Sequence, residues 1–193
     1  MLATPSSGAA GGPSDDGGPA RILIADDNLE MAQSVAEGLR ERGYVATAVG
    51  SGREALDHLH RDPFDALITD LRMPEIDGLT LIASSRRLDP NRPVIAMTAF
   101  SAIDIALESL RQGAYHYLTK PFKTEELAIF LARALNEVRL KQAVRELGAA
   151  FRRYEAAAAL RESDGQLGRA AEKLEIDPKT LRKLLDGARE DGE

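Results

Sequence analysis

The chain has 193 residues, 44% of them hydrophobic, a formal charge of -6 and a pI near 5.2. That length suits one ordinary domain plus a smaller module, and the acidic balance excludes a surface that is basic all over, as a global nucleic-acid footprint would be. Cysteine is absent, which excludes disulfides, thiolate metal sites and thiol nucleophiles, and no stretch approaches the roughly 18 apolar residues of a membrane span or a secretory signal, so a cytoplasmic protein with no membrane partner is expected.

Residues 1–20 are Gly, Pro, Ser and Ala with Asp15 and Asp16. They have almost nothing to bury, and the composition predicts a disordered tail. From 21 to 139 strand and helix patterns alternate. Short apolar runs at 22–25, 45–49, 66–69, 94–98 and 115–118 read as strands of a buried parallel sheet. Amphipathic stretches lie between them. Met31, Val35, Gly38 and Leu39 share one helical face, as do Ala55, Leu56 and Leu59, then Leu79 and Ile82, then Ile103, Leu107 and Leu110. Gly43, Gly50, Gly52, Pro63, Pro90, Pro93 and Gly113 punctuate them. Five β–α repeats predict an α/β fold, a doubly wound five-stranded parallel sheet with right-handed crossovers.

Ligands of such sheets bind beyond the carboxyl ends of the strands. Asp26, Asp27, Asp70, Thr98 and Lys120 all fall there. Three carboxylates at neighbouring strand ends hold more negative charge than a protein leaves unpaired, and a divalent, oxygen-loving metal is the natural counter-ion. Mg²⁺ keeps some water and accepts one or two carboxylates plus a phosphate oxygen. A hydroxyl (Thr98) and an ammonium (Lys120) beside that metal suit a transferring phosphoryl group, and a carboxylate can be its nucleophile. His58, His60 and His116 form no ligand set.

The motifs A-D-D at 25–27, I-T-D-L-R-M-P-E-I-D-G-L at 68–79, M-T-A at 97–99 and Y-H-Y-L-T-K-P-F at 115–122 stand in order at successive strand ends. In them the segment 21–139 resembles the receiver domain (CheY-like) of two-component response regulators. The resemblance implies Asp70 as phospho-acceptor. It implies Mg²⁺ on Asp26, Asp27, Asp70 and the main-chain carbonyl of Arg72. Thr98 and Lys120 would contact the phosphoryl group, Tyr117 would be the aromatic switch, and the Lys120–Pro121 bond would be cis. The partner implied is a sensor histidine kinase. A haloacid-dehalogenase-like phosphatase would need its nucleophile as the first Asp of D-x-D after the first strand. Here that strand gives D-D-N.

From Thr124 the pattern stays helical for unusually long. Leu127, Leu131, Ala134 and Val138 make one stripe. Leu140, Val144, Leu147, Phe151, Tyr154 and Ala158 make a second, at heptad-like spacings of four and three, broken only by Gly148. The second stripe predicts a helical linker or coiled coil over 140–151 and a homodimer.

Residues 152–193 read as a helical module broken at Ser163-Asp164-Gly165, with Asp177-Pro178 opening its last helix. G-Q-L-G-R-A-A-E-K-L-E-I-D-P-K-T-L-R-K-L-L (165–185) resembles a Fis-type helix-turn-helix. That implies DNA contacts from Lys179, Thr180, Arg182 and Lys183. Glu175 stands where that family commonly has Gly, and Glu172, Asp177 and Asp186 flank the basic cluster. No G-x-x-x-x-G-K-[ST] occurs, so no ATPase module is expected. The combined reading is not an enzyme but a phosphorylation-controlled transcription regulator. The alternative is a receiver whose helical output docks on protein and binds no DNA.

Overall fold

In the computed structural model, residues 18–99 and 103–186 are described. Five strands run parallel in the order β2-β1-β3-β4-β5. They are β1 (Arg21–Ala25), β2 (Val45–Val49), β3 (Ala66–Asp70), β4 (Val94–Thr98) and β5 (His116–Thr119). Helices α1 (Leu29–Arg40), α2 (Gly52–Arg61), α3 (Gly78–Leu88) and α4 (Ile103–Arg111) connect them. The long α5 (Thr124–Glu162) follows, then α6 (Leu167–Lys173) and α7 (Pro178–Asp186). This is the doubly wound receiver fold that the sequence predicts.

The strands are apolar on both faces because both faces are covered. Alternate residues point to opposite sides. Ile22, Ile24, Ile68, Ile95 and Met97 meet Val35 and Leu39 of α1 and Leu127, Leu131 and Leu135 of α5. Leu23, Leu67, Val94 and Ala96 meet Leu59 of α2 and Leu81 and Ile82 of α3. All five residues of β3 and of β4 are buried, so the acidic strand end at Asp70 grows out of the centre of the sheet. Side chains cap α1, α2 and α3: Asn28, Ser51 and Asp77 accept from the backbone N–H of Met31, Glu54 and Thr80.

Four details depart from the sequence reading. Ala20 is fully buried and its carbonyl accepts from Val45 N at 2.9 Å, so packing starts ahead of Arg21, inside the segment expected to be a tail. The rest of that segment, 1–17, lies outside the described residues. Strand β5 sits one residue later than predicted, because Tyr115 only approaches the sheet (its N–H donates to Val94 O) and keeps its ring exposed. In α4 the predicted core face is reversed. Ala106 and Ser109 are buried, whereas Leu107 and Leu110 are 45% and 39% exposed. Small residues let α4 lie close to its neighbours, and the leucines point outward. In α1, Ala32 and Ala36 are fully buried beside Val35 and Leu39, while Met31 is only half-buried.

Helix α5 runs unbroken for 39 residues, straight through Gly148. Two compact units divide between Arg139 and Leu140. In the second, Ala156 and Ala159 of α5 pack on Ala170 and Ala171 of α6 and Leu181 of α7, with Leu160, Leu174, Ile176 and Leu184 around them.

Glycines at two positions give opposite expectations. A Cβ at Gly78 would lie 2.1 Å from the Asp70 carbonyl oxygen, so Gly78→Ala forces the acceptor loop to move. It should cost about 1–3 kcal/mol, as overpacking does. A Cβ at Gly148 meets nothing nearer than 3.5 Å, so Gly148→Ala should add about 1 kcal/mol to α5. Thermal unfolding followed by circular dichroism of the two variants checks both signs.

Candidate functional site

The sheet register builds the site. On adjacent strands β1 and β3, Ala25 lies opposite Thr69, so the next residues, Asp26 and Asp70, emerge side by side. On β4, Met97 pairs with Asp70, which puts Thr98 one step beyond the acceptor. Thr98 pairs with Thr119 of β5, and its carbonyl accepts from Lys120 N at 2.7 Å, so the lysine is pinned to the same rim. The Lys120–Pro121 bond is cis. Carboxylate oxygens of Asp26, Asp27 and Asp70 lie within 4.8 Å of one another. Asp26 is fully buried, Asp70 is 7% exposed and Asp27 faces solvent.

Lys120 Nζ donates to Asp26 Oδ2 at 2.5 Å and to Asp70 Oδ2 at 2.9 Å. Asp26 Oδ1 accepts from Asn28 N at 3.0 Å, and Asp70 Oδ1 from Arg72 N at 3.3 Å. Burial holds the Asp26 carboxyl above the usual carboxylate range, a pull that the Lys120 contact opposes without cancelling. Burial pulls the Lys120 ammonium down, but its hydrogen bonds to Asp26 and Asp70 outweigh that and leave it above the ordinary lysine value. One ammonium thus bonds two of the three clustered carboxylates. The donor set is all oxygen, and its uncompensated charge fits a hard divalent cation such as Mg²⁺.

Supporting contacts hold the loop that carries Asp70 and Arg72. Leu71 N donates to Met97 O, and Gly78 N to Leu71 O. Gly52 is the second close approach: a Cβ there would meet the Ile76 carbonyl oxygen at 2.3 Å. Glu75 takes a left-handed backbone (φ 61°) at the loop's tip. Of these two glycines the sequence marks Gly52 as a break between elements, whereas Gly78 stands inside the 68–79 motif without such a mark. Asn28 both caps α1 through its side chain and holds Asp26 through its backbone N–H, a role that its residue type ahead of a helix signals. Tyr117 is half-buried against the second core layer, its ring stacked on His116 at 5.9 Å.

In the second unit, Lys179, Thr180, Arg182 and Lys183 are all exposed on α7, while Leu181 between them is buried. With Leu167, Pro178 and Asp186, three of them line a groove of ≈ 380 Å³. Thr180 is the exception to the expected set: its hydroxyl bonds the Asp177 carboxylate, which also accepts from Lys179 N and Thr180 N at 2.9 and 3.0 Å. Those bonds hold the Asp177 carboxyl below the usual range. Glu175 adopts φ 54° in the α6–α7 turn, the conformation for which glycine is the natural residue.

A central parallel sheet with an acid cluster and one shared lysine at its carboxyl edge is the architecture of a receiver domain. Residues 22–132 match the family model of the response regulator receiver domain, and the chain belongs to that family of two-component response regulators. Among curated relatives, the regulatory protein AtoC of Escherichia coli is 37% identical over 128 residues, covering 66% of this chain and 28% of that protein. The transcriptional regulatory protein ZraR of Klebsiella oxytoca is 35% identical over 121 residues (63% and 27%). The DNA-binding transcriptional regulator NtrC of Klebsiella pneumoniae is 37% identical over 119 residues (62% and 25%). The chain therefore spans about a quarter of the length of these relatives. Among solved structures, a receiver domain from Clostridium thermocellum superposes with a TM-score of 0.60 at 28% identity, covering 63% of this chain and 98% of that one. A Burkholderia pseudomallei response regulator with a phosphorylated aspartic acid and a calcium ion gives 0.56 at 27%, covering 86% and 98%.

The crowding of charge has a measurable sign. Asp26→Asn removes one buried carboxylate and leaves Lys120 paired with Asp70, so the metal-free protein should melt a few degrees higher, about 1 kcal/mol. Millimolar Mg²⁺ should raise the melting temperature of the wild type by binding only the folded state, and that rise should disappear in Asp26→Asn. Differential scanning calorimetry with and without Mg²⁺ reads both.

Proposed function

We propose that the chain receives a phosphoryl group on Asp70 and answers by regulating transcription. The donor is the phosphohistidine of a sensor kinase or a small acyl phosphate. Mg²⁺, held by Asp26, Asp27, Asp70 and the main-chain carbonyl of Arg72, would neutralise charge on the phosphoryl oxygens. Asp70 supplies the attacking carboxylate oxygen, forming the new O–P bond as the bond to the donor breaks and the donor keeps the electron pair. Lys120, already bonded to Asp70, follows its charge onto the phosphoryl group, and the Thr98 hydroxyl donates to a second phosphoryl oxygen. The observation that carries this reading is the Lys120 ammonium shared by Asp26 and Asp70 with Asp27 at the mouth.

Phosphorylation biases an active state that already exists. Thr98 moves toward the phosphoryl group and Tyr117 turns inward into the space it vacates. The surface affected is α4, β5 and the start of α5, where Leu107, Leu110 and Ile129 lie exposed. The helix was expected to start near Ser101, which lies outside the described residues. The output is a Fis-type helix-turn-helix made of the end of α5, α6 and α7, acting in a homodimer in the cytoplasm. The chain is not a turnover enzyme. Lys179, Arg182 and Lys183 meet DNA, and Thr180 contributes through its methyl group while its hydroxyl and N–H both donate to the Asp177 carboxylate that caps the helix. The DNA reading draws support from these exposed cations on one helix and from relatives named as transcriptional regulators.

Acetyl phosphate with Mg²⁺ should add one phosphoryl group by intact mass, and Asp70→Asn should add none; equal labelling of that variant would refute the acceptor assignment. The phosphorylated protein should bind random duplex DNA with a steep negative salt dependence. Arg182→Ala should lower the slope of log affinity against log salt by about 1. A protein without DNA affinity at low salt would instead act through the protein-docking alternative.

A further inference from the structure

Within the second unit, α5 carries two opposite faces. Ala156, Ala159 and Leu160 face α6 and α7. Tyr154 lies two residues before Ala156, about 200° around the helix, on the other side. There Leu140, Val144, Leu147, Phe151 and Tyr154 are 67, 70, 72, 57 and 67% exposed. Contiguous apolar patches of that size are uncommon on a free monomer. We propose that this face is covered by the same face of a second copy of the chain, as a parallel, in-register two-stranded coiled coil over Leu140–Ala158. The inference rests on the reading of the chain as a dimeric regulator and says which surface makes the dimer.

Three observations select a second copy. The spacing is a strict 4-3-4-3-4, which keeps a straight seam only between supercoiled helices. Val144 and Phe151 then occupy the a positions and Leu140, Leu147 and Tyr154 the d positions. A β-branched residue at a with leucine at d is the pattern of parallel two-stranded coils. The flanking g and e positions that meet across a parallel pair are Ala143 with Gly148 and Ala150 with Glu155, so no like charges oppose self-pairing. Charged Arg145, Glu146, Arg152 and Arg153 fall on the outer positions. Each of the five large side chains leaves on the order of 100 Å² open to water. Two copies would cover on the order of 1,000 Å², above the usual lattice contact and near the lower range of specific interfaces.

The absence of cysteine makes the test clean. Leu140→Cys and Tyr154→Cys are made singly in the full chain and oxidised mildly, with Arg152→Cys as an outward-facing control. The molar mass of the wild type is measured by light scattering with and without acetyl phosphate. The expected result is a dimer in at least one state, with both seam cysteines at least tenfold more cross-linked than Arg152→Cys in that state. Leu147→Asp should give a monomer with unchanged helical circular dichroism and unchanged phosphoryl uptake. In an antiparallel pair each seam cysteine would stand more than about 10 Å from its copy, beyond disulfide reach. A dimer in which neither seam cysteine cross-links, cross-linking no stronger than the control, or a monomer in both states would overturn the proposal. None of these readouts uses DNA, so the dimer surface and the DNA-binding output fail or stand separately.

Discussion

Everything at the carboxyl edge of the sheet depends on one imbalance among the described residues: three carboxylates cluster there, and one ammonium bonds two of them. Lys120 bonds Asp26 and Asp70 together, which makes the apo rim tolerable without making it neutral. Asp26, fully buried, carries most of the cost, as the upward displacement of its carboxyl indicates. A site left in that condition gains from any cation with oxygen affinity and from any modification that moves charge outward. The neighbouring strand register, Ala25 opposite Thr69 and Met97 opposite Asp70, is what makes the imbalance unavoidable. A one-residue slip of β1 would turn Asp26 to the other face of the sheet.

Packing around the rim serves the same end. Gly52 and Gly78 let main-chain carbonyls of the acceptor strand and loop come closer than any side chain would permit. The loop from Leu71 to Asp77 is thereby fixed between α2 and α3, with Met97 O and Leu71 O tying its ends. Rigid surroundings matter because a phosphoryl group is recognised by geometry more than by contact area. At the far end of the chain, the packing is made of small residues. Ala156, Ala159, Ala170 and Ala171 bring three helices together around Leu181 and leave the larger apolar side chains of α5 outside.

Much of this was readable in the amino-acid order. Buried parallel strands write themselves as short apolar runs, and carboxylates at their ends mark the rim, so the convergence of Asp26, Asp27, Asp70 and Lys120 is legible in the sequence. The long α5 was readable too, because a lone glycine costs a helix about 1 kcal/mol and no proline lies within 124–162. The misses share a cause. Periodicity finds an apolar stripe on α4 but does not say that Ala106 and Ser109, with less to bury, sit inside while Leu107 and Leu110 sit outside. The left-handed turn at Glu75 is invisible because glutamate is not the residue such turns favour, and the one at Glu175 shows only through the glycine that the resembled helix-turn-helix has there. The burial of Ala20 depends on Val45, a partner supplied by a distant segment.

The unequal exposure of the three aspartates sets how an ion would come and go. Asp27 stands in solvent while Asp26 and Asp70 lie behind it. A divalent cation held by these residues would meet the solvent-facing Asp27 before Asp26 and Asp70. Occupancy would then follow the free ion around the protein, as with a substrate and unlike a sealed-in cofactor. Readiness to receive a signal becomes a property shared between the molecule and the solution that bathes it.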